Sequence, residues 1–406
     1  MGCSILVPDI VPSPIRDAET LRKSFKGHFL GLGTDEKAIV SVLGHRNASQ
    51  RKKIKEAYQQ LYDKSLIDDL HSELSGDFRK AVILWTYDPP ERDARLVNEV
   101  LNSWMHDITR LQVMVEIACA STPDHLIAVR QAYCALFGCS LEEDIIAHAS
   151  IPVQKVLISL VSSYRYNKQL VDHSIANLEA SKLREATRTK QLDCDELVLI
   201  LSTRNIHQLK ATFECYKQNY GFSIDQDITN CGEGLLESIL KVVIWCIDSP
   251  EKHFAEVIKG STDGLGTDED SLTRTIVTRA EIDMMKVKEE YVKMKNTTLE
   301  YAVADDTSGY YKEFLMTLLG ANGGGLVQIT SDSQLLEFVK ELKNGDELDV
   351  YVFHNIDEDL EVVENVVPLL VWSESNDEVD IDSDENENRS FNEDLNGDET
   401  DLSSSE

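Results

Sequence analysis

Gly31-Leu32-Gly33-Thr34-Asp35-Glu36 and Gly264-Leu265-Gly266-Thr267-Asp268-Glu269 are the same six residues, set 233 positions apart in a 406-residue chain. The match runs on without a gap. Lys26-Gly27 falls on Lys259-Gly260, Arg46 on Arg279, Tyr58 on Tyr291, Leu66 on Leu299 and Gly76 on Gly309. An acid follows the second glycine at 40 residues in both copies: Glu73 after Gly33, and Asp306 after Gly266. A shared six-residue string with a matched distant acid marks a repeat protein.

The residue types suit calcium. A calcium ion takes about 6–8 oxygen ligands, commonly backbone carbonyls, a bidentate carboxylate and water. A chain aims successive carbonyls at one point only through unusual dihedrals, which glycine reaches at least cost. Gly-x-Gly supplies that freedom, and Thr-Asp directly after it signals the start of a helix. The expected carbonyl donors are Phe29, Gly31 and Gly33 in the first copy and Thr262, Gly264 and Gly266 in the second. Glu73 and Asp306 are expected to close the two sites as bidentate carboxylates. A glycine turn before a helix cap explains one such loop, but not why both copies hold an acid at the same distance.

Two weaker copies lie between these. Tyr58, Tyr133, Tyr216 and Tyr291 recur at spacings of 75, 83 and 75. Each precedes a short polar turn into Leu or Ile: Lys64-Ser65-Leu66, Cys139-Ser140-Leu141, Phe222-Ser223-Ile224 and Thr297-Thr298-Leu299. Apolar residues recur every three to four positions, as in Ile54-Ala57-Leu61 and Leu126-Val129-Ala132-Tyr133, which predicts amphipathic helices. The fold class is all-α. Where a loop is due, the second unit reads Trp104-Met105-His106-Asp107-Ile108 and the third Thr189-Lys190-Gln191-Leu192-Asp193, both without glycines. Their acid positions fall around Ser150-Ile151-Pro152 and Gly232-Glu233-Gly234-Leu235, so these units are expected to pack rather than to bind calcium.

Charge is distributed unevenly. Residues 322–406 carry 25 Asp and Glu against 3 Lys and Arg, a net of −22, which leaves −10 for residues 1–321. Both parts are repelled by nucleic acid and by a bare anionic membrane. Divalent cations bridging the acidic body to an anionic surface remove that objection. All eight cysteines lie in the first 246 residues, with no CxxC pairing and no zinc spacing, so reduced thiols are expected. No cleavable apolar leader is expected near Met1-Gly2-Cys3-Ser4, and Leu6 breaks the myristoylation pattern at Gly2. Apolar runs such as Leu235–Ile247 stop short of the roughly 20 residues a membrane span needs.

Four helical units of about 70 residues, with Gly-x-Gly-Thr-Asp and an acid 40 positions on, resemble the annexins. The resemblance covers residues 14–321, and plant members look closest. It is carried by Asp17-Ala-Glu-Thr-Leu-Arg22, Val115-Glu-Ile-Ala-Cys119, Leu126-Ile-Ala-Val-Arg-Gln-Ala-Tyr133, Val161-Ser-Ser-Tyr-Arg-Tyr166, Thr278-Arg-Ala-Glu-Ile-Asp283 and Asp306-Thr-Ser-Gly309. The resemblance implies four five-helix repeats in a curved disc, here bounded at 14–88, 89–168, 169–248 and 249–321. It also implies Ca2+ as the cofactor and acidic phospholipid membranes as the partner, bound reversibly from the cytoplasm, with cytoskeletal contact or self-association on the membrane as further options and no nucleic acid. Three departures stand out. The first loop is about four residues longer than the family's usual one, Leu32 stands where plant relatives often carry Trp, and a long acidic tail follows the repeats.

In that tail Gly323-Gly-Gly325 reads as a linker, Ser331–Lys343 as a short helix and Leu348–His354 as a strand, so residues 322–372 form a linker with a small α/β fragment. The fragment is weakly similar to small ubiquitin-like domains. Residues 373–406 are expected to be a disordered acidic tail. Asp380, Asp382 and Asp384 imitate an EF-hand, but Glu385 and Phe391 occupy its glycine and its closing acid positions. The rival reading is an enzyme, with His45 for a haem role or Asp306-Thr-Ser-Gly309 for nucleotide hydrolysis, as described for some plant relatives. His45 reads better as an ordinary histidine of a helical segment, and no phosphate-binding glycine loop ending in Gly-Lys exists in the chain. Cys119 and Cys246 are candidates for a redox pair that read better as core residues. A calcium-regulated channel or scaffold is the remaining alternative.

Overall fold

The computed structural model describes residues 2–26, 33–103, 107–264 and 266–321. The linker, the α/β fragment and the acidic tail expected beyond residue 321 lie outside the described residues, as do Phe29, Gly31, Leu32 and Trp104-Met105-His106.

Among the described residues the chain forms twenty helices and no strand, five helices to each repeat. Repeat 1 holds α1 (Pro14–Ser24), α2 (Glu36–Leu43), α3 (Ala48–Tyr62), α4 (Leu66–Glu73) and α5 (Gly76–Thr86). Repeat 2 holds α6 (Pro89–Leu101), α7 (Ile108–Cys119), α8 (Pro123–Phe137), α9 (Leu141–His148) and α10 (Val153–Ser162). Repeat 3 holds α11 (His173–Thr189), α12 (Asp195–Thr203), α13 (Ile206–Tyr220), α14 (Ile224–Cys231) and α15 (Leu235–Asp248). Repeat 4 holds α16 (Pro250–Thr262), α17 (Glu269–Arg279), α18 (Met284–Lys295), α19 (Leu299–Asp306) and α20 (Gly309–Leu318).

Local chemistry sets these boundaries. Proline opens α1, α6, α8 and α16, where its missing N–H has no partner to lose. The third helix of every repeat ends on a left-handed residue: Asp63 (φ 50°), Gly138 (φ 72°), Gly221 (φ 79°) and Asn296 (φ 53°). Glycine and asparagine tolerate that region best, with aspartate next, which stops the helix. Two residues later Ser65, Ser140, Ser223 or Thr298 caps the fourth helix. This cap is the polar turn that recurs in the sequence.

The recurring tyrosines face inward, each at most 1% exposed, whereas Leu61 of the same predicted stripe is 43% exposed. Three of them tie the third helix to the fourth. The Tyr58 hydroxyl donates to Asp69 at 2.6 Å, Tyr216 donates to Asp227 at 2.7 Å, and Tyr133 makes the same bond to Asp144. In repeat 4 the position eleven residues after Tyr291 is Ala302, so that tie is missing.

Two cores form, and they pair the repeats by space rather than by order. Repeats 1 and 4 share one, built around Leu43, Tyr58, Trp85, Phe254, Ile276 and Phe314. Repeats 2 and 3 share the other, around Val97, Met114, Leu157, Leu183, Leu201 and Val243. The joint between them is polar. Glu116 of α7 accepts from His253 of α16 at 3.0 Å and from Arg274 of α17, all three at most 5% exposed. Removing one partner of such a buried cluster leaves charge uncompensated, at a cost of about 3–5 kcal/mol.

Candidate metal centre

Each loop is fixed at both ends. After it, Asp35 caps α2 by accepting from Ala38 N at 3.0 Å, and Asp268 caps α17 by accepting from Ser271 N at 3.1 Å. These two carboxylates therefore serve the helices. Before it, the N–H of Asp35 donates to Ser24 O and that of Asp268 to Ser261 O, both at 2.9 Å. Between these ties Gly33 (φ 88°), Gly264 (φ 133°) and Gly266 (φ 96°) adopt backbone that a side chain would strain.

The distant acids arrive where the spacing places them. Glu73 is the last residue of α4 and Asp306 the last of α19. The Thr34 hydroxyl reaches Glu73 at both its carbonyl (3.4 Å) and its Oε2 (3.3 Å), and Thr267 donates to the Asp306 carbonyl at 3.2 Å. The threonine of each loop thus touches the end of the helix that carries the acid. Glu73 and Asp306 also line one groove of about 390 Å³ between repeats 1 and 4, with Glu36, Asp77 and Glu269. Glu36 and Glu269 are themselves 233 apart, so the groove repeats its lining across the two repeats.

Acids crowd the Asp306 end of the groove. Burial, then Asp305 and Asp263, push the Asp306 carboxyl above the usual aspartate range. Two ammoniums stand nearby and pair with other acids: Lys295 Nζ lies 2.5 Å from Asp263, and Lys80 Nζ lies 3.4 Å from Asp77 and 2.9 Å from Asp270. A bound cation would relieve that crowding. Among the described residues no three His, Cys, Asp or Glu side chains gather as a metal cluster, so a cation at either loop would draw most of its oxygens from backbone carbonyls and water. The donor set is hard oxygen throughout, which fits calcium.

The constant offset of 233 fails at the first helix. Ser24 and Ser261 are the structural equivalents: both are 3% exposed, and each bonds its hydroxyl back to the carbonyl three residues earlier. They stand 237 apart, so repeat 1 carries four extra residues between Ser24 and Asp35. Lys259-Gly260 lies inside α16 while Lys26 follows the end of α1, and their match in sequence is coincidental. In register, the partner of Thr262 is Phe25 rather than Phe29. Gly33, Glu73, Thr262, Gly264, Gly266 and Asp306 are brought to their loops, while Phe29 and Gly31 lie outside the described residues.

The equivalents of Glu73 and Asp306 in the other repeats are also corrected. The fourth helices all have eight residues, and they end on Glu73, His148, Cys231 and Asp306. The acid positions of repeats 2 and 3 are therefore His148 and Cys231, not the turns that follow them at 150–152 and 232–235. The tyrosine spacings of 75, 83 and 75 carried that signal. In repeat 3 the site is filled from within: Lys190 Nζ donates to Cys231 O at 3.3 Å and the Cys231 thiol donates to Thr187 O at 3.2 Å.

The residues of the rival readings lie elsewhere. His45 sits in the turn after α2, not on a helix, half-buried, with Nδ1 3.1 Å from Ser41 O. Cys119 and Cys246 are 3% and 2% exposed, and burial pushes the Cys119 thiol up to about 11. Burial raises the Cys246 thiol as well, and both side chains lie inside a core, as the apolar helix faces suggested. No helix among the described residues is long and apolar enough to cross a membrane.

The sequence matches the annexin family model four times, over residues 16–85, 93–160, 179–243 and 253–318. Annexin D3 of Arabidopsis thaliana is 55% identical over 321 residues, covering 78% of this chain and 99% of that protein. Among solved structures, annexin III superimposes with a TM-score of 0.73 at 30% identity, covering 79% of this chain and 97% of that one. A calcium-bound annexin (Sm)1 superimposes with a TM-score of 0.67 at 28% identity, covering 78% of this chain and 93% of that one.

Proposed function

The chain belongs to the annexin family, and from that premise we propose that residues 14–321 bind acidic phospholipid membranes peripherally and reversibly when calcium is present, through the loops of repeats 1 and 4. The observation that carries this reading is the shared groove. Glu73 and Asp306, the helix-end acids that Thr34 and Thr267 reach, line one groove of the repeat 1–repeat 4 pair.

The carbonyls of Phe29, Gly31 and Gly33 with Glu73 form one ligand set, with Phe25 the alternative first donor by register. The carbonyls of Thr262, Gly264 and Gly266 with Asp306 form the other. Calcium held there supplies a positive charge that a lipid phosphate oxygen shares in place of water. Everything else is done by the chain: α2 and α17 anchor the loops through Asp35 and Asp268, and α4 and α19 present the carboxylates. The body's net charge of −10 keeps it off an anionic surface until the loops are filled. The reading is of a binding protein, recruited from the cytoplasm, with no catalytic step assigned to it.

Co-sedimentation with vesicles across a calcium titration tests this, with acidic and neutral lipid side by side. Binding should appear with calcium on acidic vesicles and reverse on chelation. Equal sedimentation in calcium and in chelator would overturn the reading.

A further inference from the structure

Where α6 and α7 of repeat 2 meet α16 and α17 of repeat 4, the joint between the two cores holds a cavity of about 350 Å³. Leu96, Val113, Ile117, Phe254 and Val277 give it a mostly apolar wall, and Ile282, 52% exposed, carries the lining out to solvent. Two of its arginines keep a donor in hand. Arg92, 4% exposed, gives Nε to Asp93 at 2.7 Å and Nη1 to Val277 O at 3.4 Å, while its Nη2 meets no acceptor among the described residues. Arg274, 5% exposed, gives Nη1 to Glu116, and its Nη2 is buried without a partner. Both guanidiniums serve one stretch of α17, since Val277 lies a turn on from Arg274. Protein interiors rarely leave such a donor unmet, because a guanidinium N–H out of water and without an acceptor is costly.

We propose that this cavity binds a small uncharged carbonyl compound, a ketone, ester or amide with an apolar body, whose oxygen accepts from Arg92 Nη2. The volume falls within the roughly 300–1,000 Å³ of small-molecule sites, and an apolar wall with a few convergent polar groups is their usual make-up. Charge decides the class of ligand. Arg92, Arg274 and Arg279 stand against Asp93, Glu116 and Glu281 in the lining, so its fixed charges cancel. A ligand carboxylate would enter as an unpaired charge away from water, which is unfavourable. A carbonyl oxygen supplies the missing acceptor and adds no charge. A hydrocarbon of the same shape would fill the wall and leave the donor unmet. The ligand touches α6 on one side and α17 on the other, so it should also strengthen the joint between repeats 2 and 4.

Equilibrium dialysis of the full-length chain in chelator, without lipid, tests this apart from any membrane binding. Acetonaphthone, an uncharged ketone, should bind saturably at one per chain and raise the midpoint of thermal unfolding. Ethylnaphthalene has the same ring without the oxygen, and naphthoate the same ring with a charge; each should bind at least about tenfold more weakly. Thr278→Trp and Leu96→Trp, which put an indole into the cavity from half-buried positions, should abolish binding. Leu199→Trp, at a 60% exposed position of repeat 3, should leave it unchanged. Arg92→Lys keeps the charge and removes the fork, so it should weaken acetonaphthone about tenfold and leave ethylnaphthalene as it was. The proposal fails if the parent binds no probe saturably, since the cavity then holds water only. It fails equally if ethylnaphthalene or naphthoate matches acetonaphthone, or if the two filled variants, folded by circular dichroism, still bind. Should both filled variants unfold, the probe comparison and Arg92→Lys decide.

Discussion

Repeats 3 and 4 end their fourth helices at the same point of the fold and differ there in one side chain. Repeat 4 presents Asp306, held above its usual pKa by burial and by Asp305 and Asp263. Repeat 3 presents Cys231, with an ammonium from Lys190 on its carbonyl and its own thiol bonded to Thr187 O. The loops before them diverge in the same sense. One is opened by Gly264 and Gly266, while the other is closed by Lys190 in left-handed backbone and a bond from Gln191 N to Ala186 O at 3.0 Å. The fourth helices themselves are both eight residues long. On the proposed function, metal competence is separable from the frame: repeat 4 leaves the crowding at Asp306 for a cation to relieve, while repeat 3 places an ammonium at the same point.

The strongest way to break this comparison is to take the carboxylates from both competent repeats. Two weak sites on one rigid body raise each other's effective concentration, by about 10²–10⁴-fold in overall avidity. Glu73→Gln or Asp306→Asn alone should raise the calcium midpoint for vesicle binding by about tenfold or more, and the double change should abolish binding. Both single variants behaving like the parent would show that these acids are not ligands.

A second variant tests whether the frame and the sites are independent. Glu116 joins the half that carries the loops to the half that does not. Burial would raise its carboxyl, but Arg274 and His253 outweigh this and hold it below the usual glutamate range. Its contribution is therefore fully present above the ordinary value of about 4.3 and is lost as pH falls through the lower folded value. Glu116→Gln should cost about 3 kcal/mol at neutral pH, and the gap to wild type should close in acid. Denaturant melts from neutral to acid pH measure this. The calcium midpoint for vesicles should stay unchanged while the fold holds; a large shift would couple the joint to the loops.

Much of this was legible in the sequence because it is written in local chemistry. The helix caps, the tyrosine period and the distance from loop to acid all follow from short-range rules, and they gave four helical units, with the count of five helices in each supplied by the annexin resemblance. The pairing of repeat 1 with 4 and of 2 with 3 is not local, since it depends on which faces meet after folding. The false register of Lys26-Gly27 with Lys259-Gly260 arose because four extra residues in the first loop happen to restore a two-residue match. Only the buried seam of α1 and α16, where Ser24 meets the environment of Ser261, shows the slip. The groove lined by both acids, and the ammonium of Lys190 over Cys231, needed three dimensions.

The tyrosine ties sharpen the comparison on a smaller scale, because repeat 4 has lost its tie while keeping its site. Tyr58→Phe, Tyr133→Phe and Tyr216→Phe each remove one hydrogen bond to a carboxylate, Asp69 and Asp227 keeping their arginines, and should cost about 1–2 kcal/mol. Tyr291→Phe, opposite Ala302, should stay within about 0.5 kcal/mol of wild type. Thermal or denaturant unfolding of the four variants gives the ranking directly. An equal cost for Tyr291→Phe would mean its hydroxyl is held by a contact of a different kind.

The smallest expected effect is also the sharpest test. If the missing acid alone silences repeat 3, Cys231→Asp should create a third calcium site. The structure argues that it will not. Lys190 Nζ already reaches the backbone of residue 231, so a carboxylate there acquires an ammonium before it meets calcium. The new pair would be partly exposed and worth about 0.2–1 kcal/mol, a change barely visible in a melt. The loop would still lack the glycines that turn carbonyls inward. Titration calorimetry should therefore return the same calcium stoichiometry for Cys231→Asp as for the parent. Adding Lys190→Gly removes the competing charge at a position whose φ of 56° glycine accepts readily, and any weak extra site should appear only then. An added calcium with Cys231→Asp alone would show that the acid is sufficient, and that the ammonium and the loop are bystanders.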